Sequence, residues 1–473
     1  MPPNVLSTLA GLHIILTGCT MGPAADLPPP GFVSTGNAVR IEDERGPLGP
    51  QRSRGVVREL EQEDSTGLVR YHLQQVEGVL AQPLAVGNDA RLLIDGPQTE
   101  AAMFREIGLA RERIDIETYI LEAEGAGERL ASLLEKARSA GVQVRVMYDS
   151  AGSLATPEAY FDRLRAAGVA VCAFNPLNPL AVQRDWRLTA NNRDHRKIMI
   201  IDRRIAFTGG INISVVYSSS SFGRKRTPPD PKAGWRDTHV AVRGPVVAQF
   251  QQLFDDTWER QKCEAPPGPA TPAKSASGRA APGKVATARA GDMAMRLVVA
   301  DPAVERSEPY VALMSAIENA KSRVWLTYGY FVPDERTLQL LQDAARHGVD
   351  VRLVLPGFSD FWAPFHAGRS HYTALLAAGV RIFERRDALL HAKTAVIDGV
   401  WSSVGSTNLD WRSFVHNYEA DVLVVDRSFA TELEKLFALD ESASHEVTRA
   451  EWKRRGIGPR FLEWLARRWE YLL

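Results

Sequence analysis

The chain has 473 residues, 45% of them hydrophobic and 24% charged, which is ordinary globular composition and not that of a disordered protein. That length is too great for one average domain and suits two of about 150–200 residues each. Lys plus Arg and Asp plus Glu are both 57, so the formal net charge is zero, whereas proteins that live on nucleic-acid phosphates usually carry a clear basic excess. Nucleic acid is therefore not an expected partner. With no apolar run of 18 or more residues, no transmembrane helix is expected either.

In chain order, the first signal is the apolar run Val5 to Thr17, long enough for the hydrophobic region of a signal peptide and too short to span a bilayer. Met1-Pro2-Pro3-Asn4 before it offers no Lys or Arg. The run ends in Leu16-Thr17-Gly18-Cys19, which looks like a bacterial lipobox, so residues 1–18 are expected to be a lipoprotein signal peptide and Cys19 the lipid-attachment site. This predicts an anchor on the extracytoplasmic side of a bacterial membrane, the alternative being peripheral attachment to the cytoplasmic membrane. Residues 19–84 read as a tether and an N-terminal extension, with helical spacing in parts of Val56 to Leu84. Three cysteines (Cys19, Cys172 and Cys263) are too few for a disulfide framework or, alone, for a zinc site. Cys172, in the apolar run Val169 to Phe174, reads as a buried inert thiol.

The two long segments 85–262 and 293–446 repeat one another. In the first, the strand Arg113 to Ile120 leads to a helix Gly127 to Ala140 and a strand Gly141 to Tyr148. In the second, the strand Arg323 to Tyr330 leads to a helix Glu335 to His347 and a strand Gly348 to Leu355. Both continue with a helix ending in Ala-Ala-Gly-Val, at Ala166 to Val169 and Ala377 to Val380, and a further strand. Alternating strands and helices, with strands apolar at their centres, predict an α/β fold with each sheet covered by helices on both faces. Between the repeats, residues 263–292 are rich in Pro, Ala, Gly, Ser and Lys, cannot bury a core, and read as a linker. The polar stretch Ser218 to Lys232, with Arg224-Lys225-Arg226, reads as a solvated loop. In the tail 447–473, the segment Arg460 to Trp469 combines apolar helical spacing with arginines and tryptophans, suiting either an interfacial helix or packing on the second repeat.

Each repeat then presents the same constellation. The first has His195-Arg196-Lys197, then Asp202, then Gly209-Gly210-Ile211-Asn212; the second has His391-Ala392-Lys393, then Asp398, then Gly405-Ser406-Thr407-Asn408. Chance matches to the His, basic and acidic positions alone are expected roughly 0.15 times in such a chain. Two occurrences at equivalent points of a repeat are not coincidence. On a strand, i and i+2 point to one face, so each His and Lys project together. An ammonium beside an imidazole suits a phosphoryl group: the lysine holds a non-bridging oxygen while the imidazole attacks phosphorus or protonates a leaving group. Asn212 and Asn408 add amide donors. The sequence lacks the carboxylate cluster of a magnesium or calcium phosphoryl enzyme, so neither metal nor cofactor is expected.

These motifs resemble the HKD motif of the phospholipase D superfamily, and the similarity is greatest to bacterial cardiolipin synthases. Further supporting stretches are Tyr148 to Ser153, Trp235 to Thr238, Tyr330 to Asp334, Leu355 to Asp360 and Leu409 to Ser413. The resemblance covers about residues 85 to 445. It implies two pseudo-twofold-related phospholipase D-like domains, each a mixed sheet flanked by helices, with one active site at their interface. It further implies His195 as the nucleophile and His391 as general acid and base, with Asp237 and Glu419 as candidates to orient the imidazoles. Asp202 and Asp398 complete the motifs and read as structural pins of the loop after the strand. The implied activity is transfer of a phosphatidyl group from phosphatidylglycerol at a membrane surface. The rivals are a phospholipase D that passes the group to water, a nuclease of the superfamily, and an inactive lipid-binding protein.

Overall fold

The computed structural model describes residues 38–176, 191–222, 234–264, 288–304, 306–468 and 470, and all of these belong to one compact unit. The stretch 1–18 read as a signal peptide, Cys19, Arg224-Lys225-Arg226, Trp469 and most of the linker lie outside the described residues.

The N-terminal extension contributes β1 (Ile41–Asp43), β2 (Gly46–Pro47) and the helices Pro50–Glu63 and Leu68–Val76. The first repeat contains β3 (Leu84–Ile94), β4 (Arg113–Thr118), β5 (Gln143–Asp149), β6 (Ala170–Phe174), β7 (Arg193–Asp194), β8 (Ile198–Ile201), β9 (Ile205–Gly209) and β10 (Thr238–Arg243). The second contains β11 (Met293–Asp301), β12 (Arg306–Ser307), β13 (Arg323–Tyr328), β14 (Asp350–Pro356), β15 (Arg381–Arg385), β16 (Lys393–Ile397), β17 (Trp401–Gly405), β18 (Asn417–Val425) and β19 (Ser444–Glu446).

Strand pairing gives the order β6-β5-β4-β8-β9-β10-β3 in the first repeat. The second runs β11-β18-β17-β16-β13-β14-β15, with β19 at the edge. The two orders are the same pattern, and they meet where β3 pairs antiparallel with β11. Neighbours joined through a helix, such as β4 and β5 around Ala126–Ser139, are parallel, because a parallel pair needs a long crossover. Strands β8–β9 and β16–β17 are antiparallel hairpins. Their three-residue connections contain turns closed by Arg204 N–H on Ile201 O and Val400 N–H on Ile397 O, whose central residues are left-handed: Asp202 and Arg203 at φ +52°, and Asp398 and Gly399 at +53° and +69°. The apolar strand centres are buried, all of Ile198–Ile201 among them. The helix Val247–Arg260 covers one face through Phe250, Phe254 and Trp258. On the other, Leu130, Leu134, Phe161 and Leu164 pack on Ile114, Val144 and Val146. Coverage on both faces is what the apolar strands predict.

The extension is no free tether from Ala38 onward. β1 adds to β3, and buried His72 takes a hydrogen bond from Trp401 Nε1 at 3.1 Å while its Nδ1 lies 3.1 Å from Ser315 Oγ. At the other end, the helix Ile457–Arg467 packs against the helix Trp362–Ser370 through Ala466 and Ala367. Among the described residues, no helix is long and apolar enough to cross a membrane.

One expectation is corrected. Cys172 is not a free thiol but forms a disulfide with Cys263, their Cα atoms 5.6 Å apart. The helix Val247–Arg260 returns across the sheet and ends beside β6, bringing together residues 91 apart in sequence. A bridge closing so long a loop contributes about 2–4 kcal/mol of stability.

Candidate active site

Backbone pairing between the repeats assembles the site. β7 runs parallel to the start of β18, and the His195 N–H donates to Tyr418 O at 2.9 Å. This register sets the next residue, Glu419, beside the imidazole, with His195 Nδ1 3.0 Å from the carboxylate. The second motif mirrors it. Arg236 and Leu390 form a parallel bridge, the His391 N–H donates to Arg236 O at 2.8 Å, and His391 Nδ1 lies 2.7 Å from Asp237 Oδ2. Each repeat thus lends its carboxylate to the histidine of the other. The crossing is locked from below by buried Arg236, which forms two 2.7 Å bonds with Asp440 of the second repeat.

The two imidazoles face one cavity of about 540 Å³, their ring centroids 6.5 Å apart, a spacing that accommodates one phosphoryl group between them. Lys197 and Lys393 are buried behind them, each Nζ donating to the carbonyl of its own histidine. Asn212 and Asn408 line the cavity, and Asn212 Oδ1 is held by the Ile120 N–H at 3.2 Å. The glycines of the motif have a steric reason. A Cβ on Gly210 would strike the Asp237 carboxylate, and one on Gly405 that of Asp421 on the neighbouring strand.

Burial and charge set the protonation states. Burial, reinforced by Lys197, Lys393 and His391, holds His195 well below its ordinary value, so its ring is neutral. Burial alone would raise Asp237, but His391 and Lys393 outweigh it and keep the carboxyl below its usual range. His391 is also lowered, by burial and Lys393, yet the ionised Asp237 opposes that shift and makes it the easier ring to protonate. Burial pushes Glu419 up to about 7 and pulls Lys197 down to about 7 and Lys393 to about 8.

A narrow pH optimum follows. Below about 7, Glu419 carries a proton that it donates to Nδ1, which shifts the His195 proton to Nε2 and removes the lone pair from the cavity side of the ring. As pH rises through about 7 to 8, the lysines behind the two rings lose their positive charge. We expect kcat/KM to be bell-shaped around that window, with limbs that belong to the coupled cluster. Bound anionic phosphodiester stabilises the ammonium groups, so the alkaline limb of kcat should lie higher. A flat profile across the window contradicts this electrostatic account.

Of the motif residues, Asp202 and Asp398 stand apart from the cavity. Asp202 accepts from the backbone N–H groups of Arg111, Glu112 and Arg113 at 2.8–2.9 Å. Asp398 does the same for Lys321, Ser322 and Arg323 at 2.8 Å. They pin the segment entering β4 and β13 and touch neither imidazole, so they are not catalytic residues. Sequence reasoning overlooked the aromatic walls: Tyr119 lies 5.1 Å from His195 and Trp235 5.3 Å from His391, ring to ring. It also overlooked Tyr217, whose hydroxyl is 3.1 Å from His391 Nδ1. Arg193 and Arg412 line the cavity too. Arg193 alone carried a signal, standing two residues before His195 on the same strand face.

Comparison with known proteins agrees with this geometry. The family described as "Cardiolipin synthase, PLD-like domain" matches residues 103–221 and 313–440, one segment in each repeat. Cardiolipin synthase A of Pseudomonas fluorescens SBW25 is 36% identical over 371 residues, covering 78% of this chain and 72% of that protein. The chain belongs to the cardiolipin synthase family. Cardiolipin synthase A of Pseudomonas aeruginosa is 34% identical over 366 residues, covering 77% of this chain and 69% of that one. Among solved structures, phosphatidylserine synthase of Haemophilus influenzae superposes with a TM-score of 0.62 at 12% identity, over 88% of this chain and all of that one. That likeness establishes the shared phospholipase D fold. As a member of the cardiolipin synthase family, the protein is an enzyme of phosphatidyl transfer.

Proposed function

We propose that the enzyme transfers a phosphatidyl group from one phosphatidylglycerol to a second, making cardiolipin and glycerol through a phosphatidyl-histidine and without a metal ion. The observation that carries this reading is the pair of histidines across one cavity, each held by the other repeat's carboxylate and backed by a lysine. His195 Nε2 attacks the donor phosphorus, and His391, protonated beside ionised Asp237, gives its proton to the departing glycerol oxygen. The P–O bond breaks as the P–N bond forms. Neutral His391 then takes the proton from a hydroxyl of the second lipid, whose oxygen attacks phosphorus and releases His195. Lys197 and Lys393 supply the positive charge that a metal would supply elsewhere.

Purified enzyme given phosphatidylglycerol and excess chelator should still form cardiolipin and glycerol, with phosphatidic acid a minor product. Activity lost in chelator and restored by a divalent cation contradicts the metal-free site. Phosphatidic acid as the sole product moves the reading to a hydrolase.

We also propose that the enzyme sits on the extracytoplasmic side of a bacterial membrane, anchored through Cys19. The Cys172–Cys263 disulfide supports that side, because such bonds persist in oxidising compartments and are rare in reducing ones. In cells treated with a thiol-blocking reagent, Cys172 and Cys263 should stay unreactive until reduced, and Cys19 should carry lipid at the mature N-terminus. Free thiols at both positions, or an unprocessed Met1, sink this placement.

A further inference from the structure

Helix Ile457–Arg467 buries Glu463 and Ala466 against the body but leaves large apolar side chains in solvent. Ile457 is 86% exposed, Phe461 56% and Trp464 54%, and the last two stack at 5.9 Å. The helix it packs on, Trp362–Ser370, begins with two more, Phe361 at 51% and Trp362 at 52%, and Phe361 also lines the active-site cavity. Two helices packed on each other thus both carry exposed apolar and aromatic side chains, one group of them at the mouth of the site. Exposed aromatics in such a group mark a binding surface.

Charge identifies what binds there. From Arg449 to Glu470 the chain has seven basic and three acidic residues, although its total charge is zero. Arg460, Arg467 and Arg468 are exposed on or beside the apolar helix, and the Arg468 guanidinium lies 5.1 Å from the Trp464 ring. Basic side chains flanking exposed Trp and Phe on an amphipathic helix match the boundary between anionic head groups and acyl chains. We propose that these side chains form one ridge that docks the enzyme on an anionic lipid bilayer, presenting the cavity mouth to the lipids so that they enter without crossing bulk water. The inference rests on the lipid-substrate reading above and adds the face that meets the membrane.

The test uses the full chain carrying Cys19→Ser, so that no lipid anchor contributes. It is mixed with vesicles of phosphatidylcholine containing phosphatidylglycerol, or of phosphatidylcholine alone. Binding should favour the anionic vesicles and weaken with salt. In Phe461→Ser/Trp464→Ser, the ratio of turnover on anionic vesicles to turnover on monomeric short-chain phosphatidylglycerol should fall at least tenfold. Arg460→Ala/Arg468→Ala, which removes only exposed charge, should lower the same ratio and blunt the salt dependence, and a thermal melt of each variant shows whether the fold is intact. An unchanged ratio in both variants, or equal binding to both vesicle types, overturns the proposal. So does a concentration-dependent dimer that Phe461→Ser/Trp464→Ser abolishes, since a second copy would then cover the ridge. Wild-type enzyme that binds as expected but makes no cardiolipin overturns the synthase reading and leaves the docking face standing.

Discussion

His195→Ala is expected to lower turnover by at least ~10⁴-fold and to eliminate the phosphatidyl-enzyme altogether. The ring is neutral and its Nδ1 proton is directed at Glu419, which leaves Nε2 as the lone pair facing the cavity. His391→Ala should be about as slow overall but should differ in kind. It keeps the nucleophile and loses the proton donor, so a donor lipid with a good leaving group should still load His195 and then stall. Because the two rings act as one unit, the double variant should be scarcely slower than either single one. Acid-labile, base-stable label trapped on His195 in His391→Ala is the measurement. Label trapped on His391 in His195→Ala would exchange the two roles, and full activity in both variants would overturn the site.

The second large effect lies in the carboxylates, and it should be unequal. Asp237 is ionised and raises the proton affinity of His391, so Asp237→Asn withdraws a full charge from the general acid. A loss of about 10³-fold in kcat is expected. Glu419 titrates near neutrality, and a glutamine there carries no charge but can still accept the His195 Nδ1 proton through its Oε1, which keeps the lone pair on Nε2, so Glu419→Gln should cost only about 10–100-fold and should remove the acid limb of the pH profile. A severe Glu419→Gln with a mild Asp237→Asn would mean that the ring beside Glu419 is the one that must be charged, and the roles of the histidines would reverse.

The half of the site that follows strand periodicity was legible in the sequence. His and Lys two apart share a strand face wherever the strand sits, and a duplicated motif removes the ambiguity of a single one. Asp237 and Glu419 were recognisable as candidates, but nothing local says which histidine each serves. That pairing depends on β7 meeting β18 and Arg236 meeting Leu390, contacts between residues more than 150 positions apart. The disulfide escaped for the same reason: Cys172 stands in an apolar strand, and its partner lies beyond a helix whose path over the sheet the sequence does not reveal. Arg412 is harder still, since Val216 answers to it in the first repeat, and Arg193, with Leu389 in its place in the second, is signalled only by its strand register to His195. A repeat exposes what its copies share and conceals what only one of them carries.

The exchange of carboxylates between repeats also governs when the enzyme can first act. During synthesis the earlier repeat emerges with His195 and Lys197 in place, but the group that fixes the imidazole tautomer is more than 200 residues downstream. His391 in turn finds its acid-setting partner only when it docks on the earlier half. Each half alone lacks the carboxylate that serves its own histidine, so the complete constellation exists only once the two repeats have docked.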